Sequence, residues 1–345
     1  MRVLLIKTSS MGDLIHTLPA LTDAGKAIPG IRFDWMVEDS FAEIPQWHPL
    51  VDRVIPIALR RWRKAWFSKE TRSALSDLRQ TLNLQSYDLI LDAQGLVKSA
   101  FLSLFTKGQR AGLDFRSARE PLAALFYRHR YKVNFYQHAV VRMRSLFSLA
   151  LNYELPASPP DFGMKREQFK AASAENYVVF LHGTTWSSKQ WPESYWKELG
   201  RIAAQQGYRI KISGGSDEEV ARAERIAAGN PAVDLMPRLK IRQMAELLSG
   251  ARAAIAVDTG FAHLAGAMNV PTVSIYGSTN PDYTGALGDS SILLRTDFPC
   301  SPCLNRICTY REPSAVTPAC YATLPPEKVW SFVIATKQSR SEHSA

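Results

Sequence analysis

Two α/β domains in tandem, each built on a parallel sheet, are what this sequence predicts. Strand-like apolar runs alternate with helical stretches in both halves. Several of those runs stop at short polar turns that open a helix. A proline-bearing stretch, LPASPPDFGMK at 155–165, separates the halves and reads as a linker. The 345 residues suffice for about two domains. A composition of 46% hydrophobic and 21% charged residues is that of a globular chain.

In chain order, Val3–Lys7 reads as the first strand, and Thr8–Asp13 as a tight polar turn. A helix follows with Leu14, Leu18 and Leu21 on one face, and the chain turns at Pro29-Gly30. Phe33–Val37 and Asp52–Ile57 are the next strands. Residues 60–72 carry six bases and one acid, with Trp62, Trp66 and Phe67 among them. The stretch is either a solvated helix face or a site for phosphates and acidic sugars, with the tryptophans packing on sugar faces or a lipid interface. A polar amphipathic helix leads to strand Leu89–Asp92, which DAQGLVKSA closes with a second strand-to-helix turn. Helices near 118–127 and 138–151 finish the half. After the linker, strands at 177–182, 209–213, 254–257 and 272–276 alternate with helices near 193–206, 217–228 and 241–250. The expected domains are 1–155 and 170–325. A last helix within 326–345 is free to cross back to the first domain.

The charge is uneven. Residues 1–160 hold 22 Lys+Arg against 14 Asp+Glu, whereas residues 161–345 hold 20 against 18. An acidic partner should therefore meet the first half, and nucleic acid, anionic lipid and a phosphorylated glycan all qualify. No uncharged apolar run reaches the roughly 18 residues of a membrane span, and the N-terminus lacks a signal-peptide layout. A cytoplasmic location is expected.

The strand-end turns carry the candidate chemistry. Ala254–Pro281 is a strand–turn–helix–strand unit whose turn, Asp258-Thr259-Gly260, presents backbone N–H groups and the positive end of a helix dipole. Thr259 and Gly260 suit a diphosphate. Asp258 would repel one, so it falls to a hydroxyl or to capping the helix. Asp13, at a helix start where the dipole favours the carboxylate, is either a general base for a sugar hydroxyl or a cap. The loop after the 177–182 strand offers Thr184, Thr185 and Lys189, the lysine suited to charge growing on a departing nucleotide diphosphate. Glu219, at a helix start after Gly214-Gly215, is a candidate for a ribose diol. His263 is a weaker ligand candidate. No glycine fingerprint follows either first strand, which disfavours an NAD-dependent oxidoreductase. No metal-ligand spacing accompanies these turns. Cys300, Cys303, Cys308 and Cys320 lie in one stretch. Their spacing is not that of a paired zinc ribbon, so free thiols are expected, with a structural metal as the alternative.

Taken together, MRVLLIKTSSMGDLIHTLPAL, LRRWRKAWFS, DAQGLVKSA, AREPLA, LHGTTWSSKQWP and VDTGFAHLAGAMNVPTVSIYG resemble the family 9 glycosyltransferases, over nearly the whole chain and in order. The resemblance implies a GT-B fold, two Rossmann-like domains facing a central cleft. It implies inverting transfer of L-glycero-D-manno-heptose from ADP-heptose to the Kdo of Kdo2-lipid A, with no cofactor and no metal. Asp13 matches the proposed base. Thr184, Thr185, Lys189, Glu219, Asp258, Thr259, Gly260 and His263 fall at donor positions. Ser10, Arg60, Arg61, Arg63, Lys64, Gln94, Lys98 and Arg119 fall on the acceptor side. The same resemblance implies a monomer at the cytoplasmic face of a Gram-negative inner membrane, touching its anionic surface and no nucleic acid. Heptosyltransferase II, or another sugar transferase of the family, is the alternative within the class. A non-catalytic nucleotide-sugar or lipopolysaccharide-binding protein is the alternative outside it.

Overall fold

The computed structural model describes Met1–Glu342 apart from Trp66 and residues 172–174, with 336–342 described in backbone alone. The chain divides into two compact units, Met1–Gly163 and Met164 onward.

Among the described residues the first unit holds a six-stranded sheet: β1 Arg2–Ile6, β2 Arg32–Glu38, β3 Val51–Ile57, β4 Leu89–Asp92, β5 Gln109–Leu113 and β6 His129–Tyr131, in the order β3-β2-β1-β4-β5-β6. Every pairing is parallel. Val3, Leu4, Leu5 and Ile6 are fully buried, as a central strand covered on both faces requires. The second unit repeats the plan with β7 Tyr177–Leu181, β8 Arg209–Ile212, β9 Val233–Leu235, β10 Ala253–Val257, β11 Thr272–Tyr276 and β12 Ser291–Arg295, again all parallel. Its order is β12-β11-β10-β7-β8-β9. Read from the β9 edge, this is the same 3-2-1-4-5-6 winding as the first, the dinucleotide-fold order.

That winding fixes where ligands can go. The strand order reverses between β1 and β4 in one unit and between β7 and β10 in the other. The turns leaving those strands are the binding positions of such sheets. The first pair is Lys7–Asp13 with Asp92–Lys98, and the second is His182–Lys189 with Asp258–His263.

Two features differ from the sequence reading. Strands β5, β6, β9 and β12 were not anticipated. The stretch taken as a linker is docked: Arg144, paired with buried Asp23 at 2.6 Å, donates to the carbonyls of Pro156 and Ser158, and Lys26 holds Asp161. The first unit thus runs past residue 155 to Gly163. The last helix, Pro326–Glu342, begins on the second unit. Val329, Trp330 and Val333 join the core of the second unit, against helix Glu193–Gln205 and β11.

Candidate active site

In the first unit, β1 delivers the chain into Lys7–Ser10, and Ser10 caps the short helix Met11–Ile15. Asp13 occupies the third position of that helix. Its Oδ2 accepts from the Ser10 backbone N–H at 2.8 Å and from the Ser10 hydroxyl at 2.9 Å, the return half of a capping box. Asp13 is thus fixed in place by the cap and is not itself the cap.

Gln94, from the β4 turn, uses its Oε1 to accept from the N–H groups of Thr8 and Ser9 at 2.9 and 3.2 Å. Beneath it, fully buried Asp92 accepts from the Gln94 and Gly95 N–H groups and from the hydroxyls of Ser99 and Tyr127. Burial pushes the Asp92 carboxyl up, and those hydrogen bonds pull it back. Gln94 and Asp92 therefore set the shape of the turn.

Buried Lys7 donates to the Ala93 carbonyl at 3.0 Å. Burial lowers its pKa against the pull of Asp13 and Asp92, while Arg142 and Arg119 lower it further. Arg142 is likewise lowered by burial and held up by Asp13. Asp13, Lys7, Asp92, Arg119 and Arg142 thus form one electrostatic cluster. Arg142 and Lys7 were absent from the sequence-derived site. Arg142 stands on the largely apolar helix Ala139–Leu151, and no local pattern marks it.

Of the expected acceptor-side bases, Lys98 and Arg119 are exposed. The 60–64 stretch joins the same end of the sheet through Glu38, whose N–H donates to the Thr8 carbonyl and whose carboxylate accepts from the Arg60 N–H. Arg60, Arg61, Arg63 and Lys64 are exposed, with Arg61 3.8 Å from Asp39. Trp62, expected to offer a sugar-stacking face, instead packs in the core with Leu59 and Ile57. Phe67 is 87% exposed, and Trp66 lies outside the described residues.

In the second unit the two reversal-point turns are tied by Asp258. Its Oδ2 lies 2.7 Å from the Lys189 ammonium and also accepts from the Thr279 hydroxyl at 2.7 Å. Its carbonyl accepts from the Thr184 hydroxyl at 3.1 Å. The sequence reading gave Asp258 to a ligand hydroxyl or to a helix cap. Here Thr259 holds the N-cap position of helix Gly260–Ala267, and Asp258 is the partner of Lys189. The Lys189 ammonium also lies 4.4 Å from the centre of the Trp186 ring. Thr185 is exposed, and His263 is buried on the first turn of its helix.

Glu219 accepts from the Gly215 N–H at 2.8 Å, and its own N–H donates to the capping Ser216. A Cβ at Gly183 would come within 2.6 Å of the Glu219 carboxylate, so only glycine lets that acid close over the β7 turn. A pocket opens there between Gly183, Gly214, Glu219, Met244, Thr259 and Phe261. His182, on its wall, is buried and has its pKa pulled down to about 4, first by burial and then by Arg222, so it is neutral.

The turn that carries Lys189 rests on the cysteine-bearing stretch. Ser188 donates its N–H to the Arg306 carbonyl and its hydroxyl to the Asn305 carbonyl, and the Ser187 hydroxyl also donates to Arg306. Tyr321 reaches the Ser188 carbonyl at 3.4 Å. The four cysteines are free thiols, from exposed Cys300 to buried Cys320. Burial pushes the Cys320 thiol up to about 12. Among the described residues, no three His, Cys, Asp or Glu side chains are grouped so as to hold a metal ion.

Two parallel dinucleotide-type sheets in one chain, each wound 3-2-1-4-5-6, are the architecture of the GT-B fold. Residues 75–313 match Glycosyltransferase family 9 (heptosyltransferase), and the chain belongs to that family. It is 52% identical to lipopolysaccharide heptosyltransferase 1 of Pseudomonas aeruginosa, over 95% of this chain and 96% of that one. Its identity to lipopolysaccharide heptosyltransferase 1 of Escherichia coli K12 is 46%, over 86% and 93%. Among solved structures it resembles the E. coli heptosyltransferase WaaC with ADP, with a TM-score of 0.87 and 41% identity over 97% of this chain and 100% of that one. The same enzyme with ADP-2-deoxy-2-fluoro heptose gives a TM-score of 0.83 at 41% identity over 97% and 99%.

Proposed function

We propose that the protein transfers L-glycero-D-manno-heptose from ADP-heptose to the Kdo of Kdo2-lipid A, with inversion, in lipopolysaccharide inner-core synthesis. The observation that carries this reading is the Lys189–Asp258 pair, which fixes a cation at the reversal point of a sheet whose nearest glycine turn is covered by Glu219. Lys189 meets the β-phosphate side of the donor, the N–H groups at Thr259 and Gly260 meet the diphosphate, and Glu219 accepts from the ribose diol. Thr184, Thr185 and His263 complete the donor contacts.

On the acceptor, Asp13 takes the proton of the attacking hydroxyl. That oxygen bonds to the anomeric carbon as the bond to the ADP oxygen breaks, and the electron pair leaves with ADP. Lys189 stabilises the charge that appears there. Ser10, Gln94, Lys98, Arg119 and the bases 60, 61, 63 and 64 act on the acceptor side. Arg142, beside Asp13 in the same field, joins them. No metal enters this scheme. A lipid-borne acceptor calls for peripheral contact with a membrane, and in this reading the enzyme acts as a monomer at the cytoplasmic face of the inner membrane. The 52% and 46% identities to the type 1 enzymes of Pseudomonas aeruginosa and Escherichia coli, each over most of both chains, support type 1 specificity.

The test is transfer to purified Kdo2-lipid A from a panel of ADP- and UDP-sugars. ADP-heptose should be the preferred donor. Transfer from UDP-sugars alone would reject the assignment.

A further inference from the structure

We infer that the first unit carries a bilayer-docking face, formed by helix Val97–Leu102, the turn Ser103–Phe105 that continues it, and the 3-10 helix Pro121–Phe126. The inner and outer sides of these segments are sharply sorted. Ala100, Ala123, Ala124 and Tyr127 pack together as a small buried cluster. Beside exposed Lys98, outer positions of the same segments hold large apolar side chains: Phe101 is 37%, Leu104 46%, Leu122 63% and Leu125 61% exposed. Phe115, Phe135 and Tyr136, from the flanking loops, are exposed as well. Single exposed leucines need no explanation, but a group of large apolar side chains on abutting segments marks an interaction surface.

Charge identifies the occupant. Between residues 97 and 136 the chain has eight bases and two acids. Both acids are engaged with backbone: Glu120 accepts from the Val97 N–H, and Asp114 from those of Arg116 and Ser117. Lys107, Arg116, Arg128, Arg130 and Lys132 are exposed, and Arg130 also donates to the Ala124 carbonyl at the end of the 3-10 helix. Large apolar side chains in a stretch with a surplus of exposed bases fit the boundary between phosphate headgroups and acyl chains. A second copy of the same face would set these bases against their own kind. Among the described residues no helix is long and apolar enough to cross a membrane, so contact of this type is superficial. The inference rests on the proposed lipid-borne acceptor for its biological sense, and assigns the contact to segments other than the basic 60–64 stretch.

The test is co-sedimentation of the full chain with phosphatidylethanolamine–phosphatidylglycerol vesicles, which contain no lipopolysaccharide. Phe101, Leu104, Leu122 and Leu125 are changed together to Ser in one variant. Lys107, Arg116 and Arg128 are changed together to Gln in another. Each should lower partition by about tenfold or more, the second only at low salt. The triple change Arg60→Gln, Arg63→Gln, Lys64→Gln should lower it less than about twofold. The apolar quadruple variant should keep wild-type transfer to a deacylated, water-soluble Kdo acceptor, which also checks its folding. Wild-type vesicle binding by the quadruple variant overturns the inference. So does binding that is equal on purely zwitterionic vesicles, or concentration-dependent dimerisation of the wild type that the quadruple variant abolishes. If vesicle binding follows the pattern above while no heptose reaches any Kdo acceptor, the docking face stands and the proposed activity falls.

Discussion

The ammonium of Lys189 lies 2.7 Å from Oδ2 of Asp258, and the Thr279 hydroxyl donates to the same oxygen. The cation proposed to meet the diphosphate is therefore aimed by an acid that would repel the same ligand. Lys189→Ala should weaken ADP binding and slow transfer. Asp258→Asn should separate the two effects. ADP affinity should stay level or rise as the negative charge leaves, while turnover falls by about tenfold or more because the lysine is no longer held. Calorimetry and initial rates measure both. Parallel loss of ADP affinity and turnover in Asp258→Asn would mean that the acid holds the fold of the turn and not the aim of the lysine.

Asp13 invites a paired comparison. Asparagine keeps an oxygen to accept from the Ser10 N–H, but it cannot take a proton. Asp13→Asn should melt near the wild type, bind ADP normally and lose about 10²–10⁴-fold in turnover. Asp13→Ala should lose as much turnover and also roughly 1 kcal/mol of stability with the capping box. Thermal melts and single-turnover rates distinguish them. Near-normal turnover in the asparagine variant would leave Asp13 only its structural part.

The bases 60, 63 and 64 should act on acceptor alone. Arg60 lies on, and Arg63 and Lys64 directly follow, a short helix anchored by buried Leu59 and Trp62, and all three are exposed, so neutralising them should leave the fold intact. Acceptor KM should rise, donor KM should hardly move, and the effect should shrink with salt, since exposed charges are screened over about 8 Å at physiological ionic strength. Steady-state constants for both substrates at two salt concentrations provide the check. A donor-specific defect would place the acceptor elsewhere.

Acid should weaken both units through one buried histidine each. Burial pulls His48 and His182 down to about 4 from the usual 6.5. The unfolded chain takes up these protons below about pH 6.5, whereas the folded chain resists until about pH 4. Stability from the neutral rings is therefore complete above 6.5 and drains away as pH falls toward 4, on the order of 3 kcal/mol for each. Denaturant melts between pH 7 and 4 should show the decline, and His48→Gln should flatten it. An unchanged slope in that variant would remove His48 from the account.

Much of this was legible in the sequence. Strands β1, β4, β7 and β10 are dominated by continuous apolar runs, because a central parallel strand is covered on both faces. The edge strands HRY and VDL are three residues each and half polar, so no periodicity reveals them. The turns of the site were found because they follow the readable strands. Their internal partners were not. Lys189 and Asp258 are far apart in sequence, and only the β7–β10 pairing brings them together. Trp62 read as a ligand platform because its neighbours are basic, yet its side chain follows Leu59 into the core.

The seating of Ser187 and Ser188 on Asn305 and Arg306 has a consequence for biosynthesis. A nascent chain emerging from the ribosome as far as Arg295 already has every strand of its second sheet, and Lys189 and Asp258 with them. The carbonyls that hold the lysine's turn come after that point, and Tyr321 later still. Completion of the Lys189 turn therefore requires a segment that follows the whole sheet in the chain and adds no strand to it.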